Sequence, residues 1–210
     1  VADAVDAHLV ADHLHLWRGQ RHVLRGLYVE ARAGEFIHLK GANGTGKTSL
    51  LRTLAGFLWP EEGEIRWCGQ PVGRDRDGYA VAMAYLGHEN ALKGDLTALE
   101  NLHYATNLRH ATPQSAQRAV LERLGVAAQA DLPTRVLSAG QKRRVAMARV
   151  LLSRATLWLL DEPFTNLDTQ GVTDLAALVA EHTRQGGIAL VTSHAAIALA
   201  EGQVRELVLA

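Results

Sequence analysis

The sequence predicts an α/β fold: a three-layer core around a mainly parallel sheet, an antiparallel β portion from the early strands, and an α-helical subdomain near residues 90 to 150. Three observations carry this. A glycine-rich loop, Gly41-Ala42-Asn43-Gly44-Thr45-Gly46-Lys47-Thr48, stands between the apolar run Phe36–Leu39 and a helical pattern over Ser49–Ala55. Two short apolar runs, Leu157–Leu160 and Ile188–Thr192, have the composition of strands buried on both faces. Between the loop and those runs lie helical patterns with clear start signals. With 210 residues the chain is long enough for one full core, and residues 1–210 read as a single domain.

The elements follow in order. Leu14, Leu16, Val23, Leu27 and Val29 mark the early strands, and Arg18-Gly19-Gln20 and Ala33-Gly34 mark their turns. Gly56 to Pro60 end the helix after the loop. Ile65 and Trp67 suggest another strand, with Gly69-Gln70-Pro71 as its exit. Residues 73 to 79 read as a polar loop, and Val81, Met83, Tyr85 and Leu86 as a short strand running into Gly87-His88-Glu89-Asn90. Thr97-Ala98-Leu99-Glu100 matches a capping box, so a helix starts there. Ala116, Ala119, Val120 and Leu124 repeat at helical spacing. A third helix follows Leu137-Ser138-Ala139-Gly140-Gln141 and runs to Leu152. Asp168 caps a helix over Thr169 to about Thr183, closed by Gly186-Gly187.

Composition narrows the classes. Lys+Arg and Asp+Glu are both 22, so the chain lacks the net positive charge of a nucleic-acid binder. Cys68 is alone, which rules out an intramolecular disulfide and fits a reducing compartment. No apolar run reaches membrane-spanning length and no signal segment opens the sequence. Any membrane role is therefore expected to come through a partner.

The chemistry starts at the loop, which has the form G-x-x-x-x-G-K-[ST] of a phosphate-binding loop. Glycines let the backbone approach phosphates and aim successive N–H groups at them. The helix N-terminus adds positive field. Lys47 would reach the β- and γ-phosphates of a nucleotide, and Thr48 would hold Mg²⁺ through its hydroxyl. Asp161 and Glu162 end a strand whose carboxyl end faces the ligand crevice. Asp161 suits the Mg²⁺ site because hard cations take oxygen ligands. Glu162 suits the general base, or the positioner, of a water attacking the γ-phosphate. His194 follows the neighbouring strand and suits a hydrogen bond to the γ-phosphate and that water. Trp17 has two open readings, a stacking platform for adenine and an ordinary core or edge tryptophan. The remaining histidines read as surface or packing residues, His88 being the doubtful one.

Leu137-Ser138-Ala139-Gly140-Gln141, followed by Lys142-Arg143-Arg144-Val145-Ala146-Met147-Ala148-Arg149, resembles the signature of ABC-type ATPases. The chain follows that family's order throughout: Trp17, the phosphate loop, the 88–90 loop, the signature, Leu159-Leu160-Asp161-Glu162-Pro163, Asn166-Leu167-Asp168 and His194. The resemblance implies a P-loop ATPase core, with ATP and Mg²⁺ as ligands. It further implies that Ser138, Gly140 and Gln141 meet the γ-phosphate held by a second copy, so that two chains pair head to tail with residues 166–168 at the seam. Position 88 lies in the loop that touches the metal and senses the transporter in this family. The pattern departs at two places: Ala139 stands for a glycine, and His88 stands where the family has a glutamine.

Tyr85-Leu86-Gly87-His88, Leu96–Leu102, the signature with Lys142-Arg143-Arg144, and Leu157–Thr165 look like the ATPase subunit of the bacterial cytochrome c maturation, or haem exporter, system. That likeness implies integral membrane permease subunits as partners, a peripheral place on the cytoplasmic face of the inner membrane, and a role in haem export or haem-chaperone release. It implies no nucleic acid. The alternatives are the ATPase of another ABC exporter, for a drug, lipid or peptide, and a non-transport ABC ATPase. A kinase or GTPase of the wider phosphate-loop class fits less, since no guanine-reading Asn-Lys-x-Asp is present.

Overall fold

The computed structural model describes residues 7–193 and 204–209. Two sheets organise them. In the first, β1 (His8–Arg18), β2 (Arg21–Arg32), β4 (Glu62–Trp67) and the two-residue β5 (Gln70–Pro71) pair antiparallel in the order β2-β1-β4-β5. In the second, β3 (Phe36–Lys40), β6 (Met83–Leu86), β7 (Leu157–Asp161), β8 (Ile188–Thr192) and β9 (Val204–Val208) pair parallel in the order β6-β7-β8-β3-β9. The helices are α1 (Lys47–Leu54), α2 (Arg76–Ala82), α3 (Ala98–Asn107), α4 (Gln114–Arg123), α5 (Ala139–Leu152) and α6 (Thr169–Arg184).

The parallel sheet is buried on both faces, and its period-2 alternation divides the core in two. Leu157 and Leu159 of β7 and Ile188 and Leu190 of β8 point into one cluster with Leu50, Leu51 and Leu54 of α1 and the inner face of the antiparallel sheet. Trp158, Leu160, Ala189 and Val191 point the other way, into a cluster with α3, α5 and α6. The sheet is thus the middle layer.

Local chemistry explains the helix starts. Thr97 and Glu100 close a full capping box on α3, and Ser138 and Gln141 close another on α5. Asp168 caps α6 by accepting from the Gly171 amide at 2.9 Å.

Four local expectations need correction. Residues 76–82 form α2, where a polar loop and the start of a strand were expected. Asp75 caps this helix by accepting from Gly78 N, and buried Tyr79 anchors it by donating to the Leu54 carbonyl at 2.7 Å. Val81 therefore sits on a helix and is exposed, and the strand begins only at Met83. Gln70-Pro71, read as a turn, adds a short edge to β4. On α4 the buried stripe runs through Gln117 and Leu121, while Ala119 is exposed. The polar Gln117 enters the interior because its amide donates to the Thr112 carbonyl at 3.2 Å. Finally, β9 was not foreseen; charged Arg205 and Glu206 obscure its alternation, and it pairs with β3 at the edge of the sheet.

Candidate functional site

The phosphate loop lies where β3 ends and α1 begins, at the carboxyl edge of the parallel sheet. Gly41 and Gly46 hold φ of 146° and 103°, backbone states that L side chains avoid. Space excludes a side chain as well. A Cβ on Gly41 would meet the Leu209 carbonyl oxygen at 2.6 Å, and one on Gly46 would meet Val23 Cγ1 at 2.8 Å. Ala42, Asn43, Gly44 and Thr45 complete the loop, and Thr45 Oγ1 donates to the Ala42 carbonyl at 3.0 Å. Arg21 braces it from β2 by donating to the Gly44 carbonyl at 2.7 Å. Lys47 is 9% exposed, and its ammonium donates to the Gly41 and Ala42 carbonyls at 2.7 and 3.0 Å. The cation is thereby held over the mouth of the loop.

The acids arrive on β7. Strand β8 lies between β3 and β7, and the ladder pairs Thr192 with Leu39 on one side and Asp161 on the other. Asp161 Oδ1 accepts from Thr192 Oγ1 at 2.8 Å and from Thr48 Oγ1 at 3.2 Å. Its second oxygen, Oδ2, is buried without a hydrogen-bond partner among the described residues. A buried carboxylate oxygen in that state is costly unless a ligand meets it. With the Thr48 hydroxyl alongside, the donor set is all oxygen, which fits Mg²⁺.

Glu162, the next residue, has φ of 51°, a left-handed state that non-glycine residues adopt at a cost on the order of 1–3 kcal/mol. Both sides of its backbone are pinned. Its N–H donates to Thr192 Oγ1 at 2.8 Å, and its carbonyl accepts from Arg143 Nη2 at 2.8 Å. The kink turns the chain off the strand, so Glu162 leaves the direction of Asp161. Both acids line a cleft of about 560 Å³ together with Lys47, Thr48 and His88. Arg18, Arg21 and Val23 of the antiparallel sheet line it as well. Three cations and two acids thus share one cleft at the loop.

The signature residues stand elsewhere: Ser138, Gly140 and Gln141 are not among the residues lining the cleft. Ser138 and Gln141 bond each other's backbone, Gln141 N to Ser138 Oγ at 3.2 Å and Ser138 N to Gln141 Oε1 at 2.9 Å. Both side chains are exposed or half-exposed at the start of α5. Gly140 packs so closely on the 166–168 segment that a Cβ would meet the Asn166 carbonyl oxygen at 2.6 Å. Asn166 has φ of 66° there, and Arg144 bridges to Asp168 Oδ1 at 3.0 Å.

The structure brings together Gly41–Thr48, Asp161, Glu162 and His88. His194 lies outside the described residues. Trp17 is half-buried and stacks on His22 with ring centroids 3.7 Å apart and planes 7° apart; its neighbour Arg18 is the one that lines the cleft. Sequence reasoning missed Thr192, whose hydroxyl joins Asp161 to the Glu162 amide, and Arg143. A polar residue ending a fully apolar strand was a signal for the first. For the second there was no clear signal, because Arg143 stands between the charged Lys142 and Arg144, which are only half-buried.

The protein-family profile described as ABC transporter matches residues 24–165. The chain is similar to the cytochrome c biogenesis ATP-binding export protein CcmA of Shigella flexneri, 45% identical over 200 residues and 95% of each chain. It is 46% identical over 190 residues to the protein of the same name in Nitrosococcus oceani, covering 90% of this chain and 87% of that one. Among solved structures, a putative ABC transporter ATP-binding protein from Pyrococcus furiosus shares the fold. It has a TM-score of 0.83 at 24% identity over 96% of this chain and 97% of the other.

Proposed function

The chain belongs to the ABC transporter family, in the branch of the cytochrome c biogenesis ATP-binding export proteins, and from that premise we propose how it works. It is an ATPase, the ATP-binding subunit of a cytochrome c maturation export system. All of residues 1–210 act as one nucleotide-binding unit. Two copies close head to tail over two ATP molecules, and hydrolysis reopens them.

The observation that carries this reading is Asp161, with one oxygen tied to Thr48 and Thr192 and the other buried and unpartnered among the described residues. It supports a Mg²⁺ site that Thr48 and Asp161 would hold, with His88 of the 87–90 loop lining the same cleft. When bound, Mg²⁺ neutralises charge that develops on the phosphates. Lys47 leaves the carbonyls of Gly41 and Ala42 for the β- and γ-phosphates, which are stronger acceptors. Gly41 to Thr48 cradle the phosphates with backbone N–H groups. Glu162 takes a proton from the attacking water. The water oxygen bonds to the γ-phosphorus as the bond to the bridging oxygen breaks, giving ADP and phosphate. His194 steadies the γ-phosphate and that water. Trp17, with His22 stacked on it, borders the base end of the site.

Ser138, Gly140 and Gln141 act on the other copy's nucleotide. Their absence from the chain's own cleft supports this, as does the helix N-terminus they form, which is an anion site. Asn166 to Asp168 lie at the seam. Integral membrane permease subunits are the partners. Exposed Phe57, Trp59 and Val81, with Tyr104 and Leu108 on α3 and the residue after it, offer apolar surface for their cytoplasmic helices. Arg109 ties the two groups by donating to the Val81 and Met83 carbonyls. No helix among the described residues is long and apolar enough to cross a membrane. Through those subunits the chain takes a peripheral place on the cytoplasmic face of the inner membrane, and the work done is haem export or release of a haem chaperone.

The test is Glu162→Gln. The variant is expected to bind ATP, to lose at least ~100-fold in hydrolysis, and to accumulate as an ATP-bound dimer on size exclusion. Full turnover by this variant would remove Glu162 from its role.

A further inference from the structure

Arg143 is the most completely bonded side chain around the cleft, and nothing in the motif reading uses it. A guanidinium carries five N–H donors in one plane. All five are spent here. Nε donates to the Pro163 carbonyl at 3.1 Å. Nη1 donates to the Gly87 carbonyl at 2.7 Å and to Asn90 Oδ1 at 3.0 Å. Nη2 donates to the Asp161 carbonyl at 2.7 Å and the Glu162 carbonyl at 2.8 Å. The residue is 2% exposed. Burial lowers its pKa to about 10, against the favourable field of Asp161 and Glu162, so it remains charged at neutral pH.

The acceptors matter more than their number. Three are the consecutive carbonyls of residues 161, 162 and 163, which turn toward one point only because Glu162 adopts its left-handed φ of 51°. Two belong to the loop that carries His88. The donor itself sits five residues after Ser138, on the helix whose first turn is the signature. One rigid side chain therefore joins the signature helix, the 87–90 loop and the backbone of the acid. No other side chain among the described residues bonds all three.

We propose that Arg143 is a positioning residue for hydrolysis: it holds the backbone of Glu162 in its strained state and ties that state to the signature helix and the 87–90 loop. Movement of either segment then reaches the acid through the guanidinium fork. The role extends the reading of Glu162 as the base and rests on it. Lysine cannot replace arginine here, since three rotating donors on one nitrogen cannot reach five acceptors spread over a plane.

The experiment compares Arg143→Lys, Asn90→Ala and Glu162→Gln as full-length chains, measuring ATP affinity, kcat, KM and Tm. Arg143→Lys is expected to bind ATP within ~3-fold of the parent while kcat falls at least ~30-fold, the loss expected when a reacting group is misplaced by a fraction of an ångström. A purely structural role would lower Tm and the active fraction together and leave kcat per binding-competent site unchanged, and that result overturns the proposal. If Arg143→Lys does not fold, Asn90→Ala decides. It removes one acceptor from the loop and leaves the other four bonds. A drop of ~5-fold in kcat at unchanged affinity supports the link, and an unchanged kcat overturns it. Glu162→Gln separates the two readings. If it turns over fully, the base assignment itself falls. If it stalls while Arg143→Lys hydrolyses normally, only the role of Arg143 falls.

Discussion

Thr192 shows how much one hydroxyl can organise. Its Oγ1 donates to Asp161 Oδ1 and accepts from the Glu162 amide. It is fully buried at the end of β8, so water cannot take either place. Thr192→Val keeps the shape and deletes both bonds. It removes the hydrogen bond that the Glu162 amide makes to the hydroxyl, at about 1–3 kcal/mol. We expect stability to fall by that amount in denaturant titration and kcat to fall ~10-fold or more with little change in ATP affinity. Parent-like kcat would show that the acid keeps its place without the hydroxyl. Gly41 and Gly46 teach the complementary lesson. Their motif positions were legible in the sequence, but the atoms that forbid a Cβ, Leu209 O and Val23 Cγ1, come from distant segments that no local pattern names.

At the scale of elements, the second core cluster holds a pH-sensitive joint. His182 of α6 lies flat on Trp158 of β7, with centroids 3.8 Å apart and planes 5° apart. Its Nε2 bonds the Thr156 carbonyl at 3.1 Å. Burial lowers its pKa to about 4. A histidine whose folded pKa lies below the unfolded value near 6.5 makes the unfolded chain bind more protons between those limits. Stability from this site is therefore complete above about pH 6.5 and is lost as pH falls toward 4, by about 3 kcal/mol. His182→Phe keeps the stack and removes the titration. Urea midpoints measured between pH 7 and 5 should converge for the two proteins as the pH drops; a constant difference would remove His182 as the cause. The elements with paired signals, capping boxes at Thr97 and Ser138 and the Asp168 cap, were legible in sequence. Helix α2 and strand β9 were not, because a seven-residue helix and an edge strand with charged residues carry too little periodicity.

At the scale of the whole molecule, the chain's cleft is lined by its own phosphate loop, acids and 87–90 loop, but not by its signature. On the proposed reading, a second copy supplies the signature that completes each site. Hydrolysis per chain should therefore fall as protein is diluted through the range where ATP-bound dimers dissociate, with the second-order dependence of a dimer reaction. A specific activity constant down to strictly monomeric concentrations would contradict the shared site.

The order of residues alone named the chemical parts: a loop of phosphate-binding form, an acid pair ending an apolar strand, a signature at a helix start. Each is a contiguous string whose meaning depends on residue type and local spacing, which is the information a sequence carries directly. How those strings come together was visible only in the folded chain. The order β6-β7-β8-β3-β9 sets Thr192 between the loop and Asp161, and the packing of α5 delivers Arg143 to three carbonyls and a loop 53 and 56 residues away in sequence. The reason is physical. A bond between distant segments depends on which sheet edges and helix faces bury against each other, and that is settled by the whole core at once.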